Sequence, residues 1–465
     1  MLIRNSSPWP FGMMGTDVRI AGGLVTDLGQ GLRRMPGEDE LDAAGGALLP
    51  GLHDHHVHLL ALAAARDSIA AGPPDVRTAA GLAARLAAAG AALPAGAWLR
   101  CTGYHESVAG PLDRHALDRL VPDRPVRVQH RTGALWMVNS AAVRLLGLDG
   151  CELAGVERDA GGQPTGRLWR MDDWLASRLP ARAPGAPGLG LVSAAAAELG
   201  VTGFTDATPD ASRRAIETLT GAVADGTLVQ RLHCMAPVGT PPPGQPTVTL
   251  GPVKVMLDDT ALPPLDEFTH RVRAAHVARR PVAVHCVTRV QFALTLAALN
   301  AAGRMAGDRI EHGAVLPAGS LRDLDGLTVV TQPHFVTERG AQYATDVPAE
   351  DLPDLWRLRS LLDAGVAVAA GSDAPFGGAD PWHVMRSATR RPAGLGPSEE
   401  ISAAQALRLF LGQPGAPAVP RSVGPGQPAD LVLLRVPPGE VLRSLASDLV
   451  AATFAGGVPV YVRSP

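Results

Sequence analysis

Lysine is almost missing from this chain. Of 42 Lys and Arg residues a single one, Lys254 in "GPVKVMLDD", is lysine; the others are all arginine. Asn and Ile are scarce too, a pattern of base-composition bias that accounts for arginine on the surface and makes the surviving lysine informative. Cysteine is also rare. Cys101, Cys151, Cys234 and Cys286 stand apart without CxxC spacing, which argues against a disulfide framework and a thiolate zinc cluster. No stretch reaches the ~18 consecutive apolar residues of a membrane span. The opening "MLIRNSSPWPFG" has no charged region followed by an apolar run and a cleavage site, so a cytoplasmic protein is expected. With a net charge of -3 and no basic stripe or polybasic cluster, neither nucleic acid nor an anionic membrane is an expected partner. A small molecule is.

What is present is a long, Ala-rich chain of 465 residues with 52 Gly and 41 Pro, which suits a loop-rich globular enzyme with one large and one smaller domain. Short alternating runs open the chain ("DVRIAGGLVTDLG") and close it ("ADLVLLRV", "DLVAATFAGGVPVYVR"), punctuated by Gly and Asp as hairpin strands are. They predict a small β-sandwich-like domain made from both termini, residues 1–48 and 421–465. Between them "ALLPGLHDHHVH", "VTGFTDA", "GPVKVMLDD", "PVAVHC", "DRIEHGAVL", "TVVTQP" and "GVAVAAGSD" alternate with helical Ala/Leu/Arg stretches. Apolar strands separated by helices read as a parallel sheet with helical crossovers. Several of these runs end in His, Lys or Asp, and polar residues at successive strand ends predict an α/β fold of the (β/α)8 TIM barrel type over residues 49–420. A doubly wound sheet is the alternative. Residues from about 65 to 195 are too many for one βα unit and predict an inserted segment after the first strand, with "ARAPGAPGLG" at 181–190 as a linker.

In "PGLHDHHVH", His56 and His58 stand two apart, so on a strand both face one side, where two imidazoles can hold one ion. "PVAVHC" brings His285 to a strand end and "RIEHG" brings His312, and neutral imidazole is the commonest ligand for zinc and similar ions. "GVAVAAGSDAP" ends its strand on Asp373. Singly, each has a plainer role as a core or capping histidine or a turn aspartate. Together, strand ends that supply metal ligands in order point to a metal site. Lys254 suits such a site by a different chemistry. Arginine stays protonated, whereas burial and nearby cations depress a lysine amine until it is nucleophilic. The neutral amine can add carbon dioxide, and the resulting lysine carbamate can bridge two divalent cations ~3.5–4 Å apart. The competing role is an ion pair with Asp258 or Asp259.

Taken together, these residues resemble the amidohydrolase superfamily of metal-dependent hydrolases: HxH after the first barrel strand, Lys after the fourth, His after the fifth and sixth, Asp after the eighth. "LDAAGGALLPGLHDHHVH" is similar to the family's entry from its β-domain and "VGPGQPADLVLL" to its return. More narrowly, "PDRPVRV", "WMVNSAAVRLLG", "PTGRL", "GSDAP" and "EEISAAQALRLF" are similar to the YtcJ-like branch that includes N-substituted formamide deformylases. The resemblance implies His56, His58 and Asp373 on a first metal, carboxylated Lys254 bridging to a second, and His285 and His312 on that second metal. Asp373 is further implied as general base and then acid, and Asp54 as a support for a ligand or for the turn. Two divalent ions, zinc foremost with manganese, iron and cobalt as alternatives, lower the pKa of a bridging water toward ~7. The implied reaction is therefore hydrolysis of an amide, N-substituted formamide or cyclic amide C–N bond by a metal-bridging hydroxide.

Three departures from the branch fall where substrate is expected. "HCVTR" places Thr288 and Arg289 where the branch has a Gly-Asp pair, "HRTGALWMVNS" leaves His130, Arg131 and Gly133 where it has Asp and His, and "PTGRLWR" lacks an acidic residue. The expected substrate contacts are Tyr104, His105, Glu106, His130, Arg131, Gln332 and His334, with Trp136 as packing. A mononuclear deaminase on the same fold, which needs no bridging lysine, and a catalytically silent binding protein are the alternative functions. A homodimer is compatible with the sequence.

Overall fold

The computed structural model describes residues 1–179, 187–392 and 394–464. Its fold is mixed α/β, in two compact units: Met1–Leu60 with Leu189–Pro465, and Ala61–Gly188.

In the first unit, nine strands follow one another in chain order, each beside its predecessor and parallel to it, except at one break. They are β1 (Leu52–Val57), β2 (Val201–Asp206), β3 (Arg231–Cys234), β4 (Val248–Leu250), β5 (Val253–Val255), β6 (Val282–Cys286), β7 (Arg309–His312), β8 (Thr328–Thr331) and β9 (Ala367–Ala370). β1 to β4 form one parallel sheet and β5 to β9 another, the break falling at Gly251-Pro252, where proline has no N–H to give to a ladder. Most of these strands are buried along nearly their whole length, as strands covered on both faces must be. Beyond β9 the chain bonds back to β1: the Asp373 amide donates to the His56 carbonyl (2.7 Å) and the His58 amide to the Ala374 carbonyl (2.9 Å). Helices fill the crossovers, among them Leu265–Val277 and Arg289–Ala302. Thr288 caps the second of these by accepting from the Gln291 amide, satisfying one of the donors a helix start leaves open.

The same unit holds an eight-stranded sheet to which both chain ends contribute. Ala47–Pro50 pairs antiparallel with Leu431–Leu434, setting Leu48 opposite Leu433. Ile3, Val18, Ile20, Leu48, Leu431 and Phe454 pack into its core. Its first strand, Leu2–Pro8, comes from an opening stretch in which no strand was expected.

The second unit is a six-stranded sheet in the order Val156–Arg158, Pro164–Trp169, Leu135–Val138, Val126–His130, Leu99–Tyr104, Ile69–Ala70. Leu82, Leu86, Leu99, Val126, Val128 and Met137 are in its core. Of the linker expected at 181–190, residues 181–186 lie outside the described residues, and its last four residues open the helix Pro187–Glu198.

Candidate metal centre

The side chains picked out at the strand ends converge in the first unit. His58 Nε2 lies 3.1 Å, and His56 Nε2 3.5 Å, from the same oxygen of Asp373. The His312 ring stands 4.8 Å from that of His56 and 4.7 Å from that of His285, centre to centre. His312 and Asp373 both hold positive φ angles (69° and 53°), a left-handed backbone that costs a non-glycine residue about 1–3 kcal/mol and that gathers at functional sites.

Each converging group is held from behind. The His56 Nδ1–H donates to Glu311, which also accepts from Arg309 Nε at 2.5 Å, and all three side chains are buried. With Nδ1 so engaged, the His56 Nε2 lone pair faces the site. His312 Nδ1–H donates in the same way to Gln332 Oε1 (2.7 Å). Asp54 accepts from the Ser372 amide (2.9 Å), the Ser372 hydroxyl and the His56 amide (3.1 Å), tying β1 to the residue beside Asp373. His334 Nε2–H donates to the Ser372 carbonyl (3.0 Å). Gly371 is required here: a Cβ on it would lie 2.4 Å from the His56 backbone nitrogen.

Burial sets the charge states. It is the largest influence on His56, which it pushes down to about 3 with help from Lys254, and it holds His285 and His312 below the ordinary imidazole value. The imidazoles are thus in the neutral form that ligates. Burial pushes Asp373 upward, but His58, His56 and His312 outweigh it and hold the carboxylate well below its usual range. Asp54 is pushed up to about 6 by burial, against the bonds it accepts. Lys254 is lowered by burial, against Glu311 and Asp373.

His56 Nε2, Asp373 Oδ1 and Lys254 Nζ are all buried, and none has a hydrogen-bond partner among the described residues. Buried polar atoms in proteins are usually paired, and although others among the described residues, such as both ring nitrogens of His55, also lack partners, these three come from residues around one centre. His58 and His56 both reach toward one oxygen of Asp373, as groups do that aim at a common point. The donor set of imidazole and carboxylate fits a divalent ion of the zinc kind, and His56, His58 and Asp373 are mutually close enough to share one. The ion pair of Lys254 with Asp258 or Asp259 is not formed; Asp259 accepts from Thr288 instead (3.0 Å).

The expected substrate contacts are distributed differently. Gln332 and His334, read as pocket residues, are fully buried, Gln332 accepting from His312 and His334, at the start of the helix His334–Asp346, donating to the Ser372 carbonyl. Arg289 is engaged by Asp351 (2.5 Å) and Asp354 (2.9 Å). Tyr104, His105, Glu106, His130 and Arg131 belong to the second unit. Tyr104 is a core residue there, its hydroxyl donating to the Gly110 carbonyl. Trp136 packs as expected, its indole N–H donating to Asp172 (2.8 Å). Glu311, Arg309 and Ser372 were not singled out in the sequence, although a Glu beside a strand-end His and two residues after an Arg was a usable signal.

A profile of the amidohydrolase family matches residues 39–461. The N-substituted formamide deformylase of Arthrobacter pascens is 25% identical over 97% of this chain and 93% of its own. The putative amidohydrolase YtcJ of Bacillus subtilis is 25% identical over 81% and 80%. Among solved structures, an uncharacterised metal-dependent hydrolase from Pyrococcus furiosus superposes with a TM-score of 0.71 at 19% identity, covering 94% of this chain and 99% of that one. With the family profile spanning most of its length, the chain belongs to the amidohydrolase family.

Proposed function

We propose that this protein is a metal-dependent amidohydrolase that cleaves an amide, N-substituted formamide or cyclic amide C–N bond of a small molecule, at two divalent cations bridged by carboxylated Lys254. Family membership and the likeness to a formamide deformylase support the reaction class. The observation that carries the two-ion reading is Lys254 itself: buried, without a hydrogen-bond partner among the described residues, and near enough to His56, His285 and His312 to influence each electrostatically. The strand order supports a closed (β/α)8 barrel with the sheet of both chain ends as a second domain, β4 and β5 sharing one barrel position and β9 meeting β1.

His56, His58 and Asp373 would hold one ion and His285 and His312 the other. An unpaired ammonium is costly at the depth of Lys254, which favours the neutral amine. Its lone pair adds to the carbon of carbon dioxide, an N–C bond forms, one proton leaves, and a carboxylate results. Bound between these residues, two cations supply Lewis acidity that brings a water toward a pKa of ~7 and polarises the scissile carbonyl. Asp373, kept ionised by its imidazole neighbours, takes a proton from the attacking water and returns it to the leaving nitrogen. Glu311 and Gln332 hold the two rings in the tautomers that leave Nε2 free.

A mononuclear deaminase draws support from one observation, that at this centre, among the described residues, His56, His58 and Asp373 form a ligand group that leaves out His285 and His312. Elemental analysis of metal-replete protein, taken as the difference from a variant with His56, His58, His285 and His312 all replaced by alanine, together with turnover on a panel of amides, N-substituted formamides and cyclic amides, tests the choice. Two ions per chain at this centre and hydrolysis of a panel member are expected. One ion with ammonia release would favour the deaminase, and silence across the panel the binding protein.

A further inference from the structure

The second unit brings together a different set of ligating side chains. Leu99–Tyr104 and Val126–His130 are adjacent parallel strands, paired up to Tyr104 opposite His130. The residues at and just past their carboxyl ends are His105, Glu106 and His130. His130 Nε2 lies 3.0 Å, and His105 Nε2 3.8 Å, from one and the same oxygen, Glu106 Oε2, and the two rings are 5.7 Å apart. All three ligand atoms fall within 4.8 Å of one another. Ligands ~2.0–2.2 Å from a shared zinc-type ion are separated by ~3–3.6 Å, so the trio needs only small side-chain adjustments to close on one.

The far side of each ring is arranged alike. His105 Nδ1 lies 2.9 Å from the Ser107 hydroxyl and His130 Nδ1 2.8 Å from the Thr132 hydroxyl, in each case two residues further on. The amides of Ser107 and Thr132 also reach these nitrogens, at 3.2 and 3.3 Å. With Nδ1 accepting, the rings point Nε2–H at Glu106. The amides hold Nδ1 as an acceptor, so ligation requires each ring to move its proton to Nδ1 and turn that N–H from the amide to the neighbouring hydroxyl, which can accept it, leaving an Nε2 lone pair toward the carboxylate. The cluster therefore suits two states, hydrogen-bonded without an ion and ligating with one.

We propose that His105, Glu106 and His130 form a mononuclear divalent-cation site, separate in its residues from the metal centre of the first unit. Two imidazoles and one carboxylate select zinc, cobalt, nickel or ferrous iron over magnesium and calcium, which prefer oxygen-only cages. The bound ion clips the ends of two neighbouring strands of the second unit. The site does not depend on how many ions the other centre holds.

The test is a metal count by elemental analysis after equilibrium dialysis of the full chain against zinc. The wild type is expected to carry one zinc more than the His105→Ala/His130→Ala double variant, and a His56→Ala/His58→Ala variant is expected to retain that zinc. Glu106→Gln keeps the side chain's shape at a partly exposed position and answers the question even if the double variant does not fold. It should weaken the zinc titration by at least about tenfold. Equal counts in wild type and double variant, or an unchanged titration in Glu106→Gln, would overturn the proposal, as would full competition by magnesium.

Discussion

Glu311 joins two demands in one carboxylate: it neutralises Arg309 in the interior and fixes the ring of His56. Glu311→Gln leaves Arg309 buried without its partner charge, and breaking such a pair costs about 3–5 kcal/mol. Its loss is also expected to weaken metal retention about 10–100-fold, read by zinc titration against a chelator. Lys254→Arg makes the opposite kind of change, placing a permanent positive charge where the amine is held toward neutrality and removing the nucleophilic nitrogen. It should fold, hold at most one ion at the centre of the first unit and lose turnover; full activity in that variant would remove the bridging role. Asp373→Asn should keep part of the metal and lose at least about 100-fold in rate, the size of effect expected of a proton carrier. The candidate ligands His56, His58, Lys254, His285, His312 and Asp373 were legible from sequence because their chemistry and strand-end positions are local properties. The supports were not: Glu311 meets His56 across 255 residues, and Asp54 meets Ser372 across 318. The Arg309, Glu311, His312 spacing marks Glu311 as a candidate, but no local pattern names the distant residue it meets.

The strand that carries His56 is positioned by its neighbour β9, and Gly371 sets how closely they approach. A methyl group there meets the His56 backbone at 2.4 Å, a distance only main-chain movement relieves. Gly371→Ala is expected to destabilise by about 1–3 kcal/mol and to release metal, even though residue 371 ligates nothing. Urea unfolding and elemental analysis of the purified variant check both effects; wild-type metal content would show that the approach is looser than described. Strands rich in Val, Ile and Ala, such as β6 and β8, were readable from their apolar runs. β3 was missed because "RLHC" is four residues long with Arg and His in it, and its burial comes from the strands on either side. Leu2–Pro8 was hidden by its Asn and Ser residues, and Ser6 and Ser7 are nevertheless buried in the sheet. Gln332 and His334 are fully buried, Gln332 accepting from His312 and His334 donating to the Ser372 carbonyl.

The molecule as a whole carries an unusual load of buried imidazole. His53, His55, His56, His233, His285, His312 and His334 are all held below their ordinary pKa, with burial the first cause in each. A histidine depressed in the folded state takes up its proton on unfolding, so stability falls as pH drops below the unfolded value near 6.5. Each such group contributes up to ~1.4 kcal/mol per pH unit. Asp54, raised to about 6, works in the opposite sense between about 4 and 6, one group against seven. Metal-free protein is therefore expected to lose stability between pH 7 and 5 with a slope above that of a single proton in urea unfolding, and a flat profile would contradict the buried neutral cluster. Among the described residues no helix is long and apolar enough to cross a membrane. The central claim, that Lys254 is carboxylated and joins two ions, is tested most directly by anomalous diffraction from metal-replete crystals grown with bicarbonate. Two peaks ~3.5–4 Å apart with carbamate density on the Lys254 nitrogen are expected. A single peak at His56, His58 and Asp373 beside an unmodified lysine would contradict it.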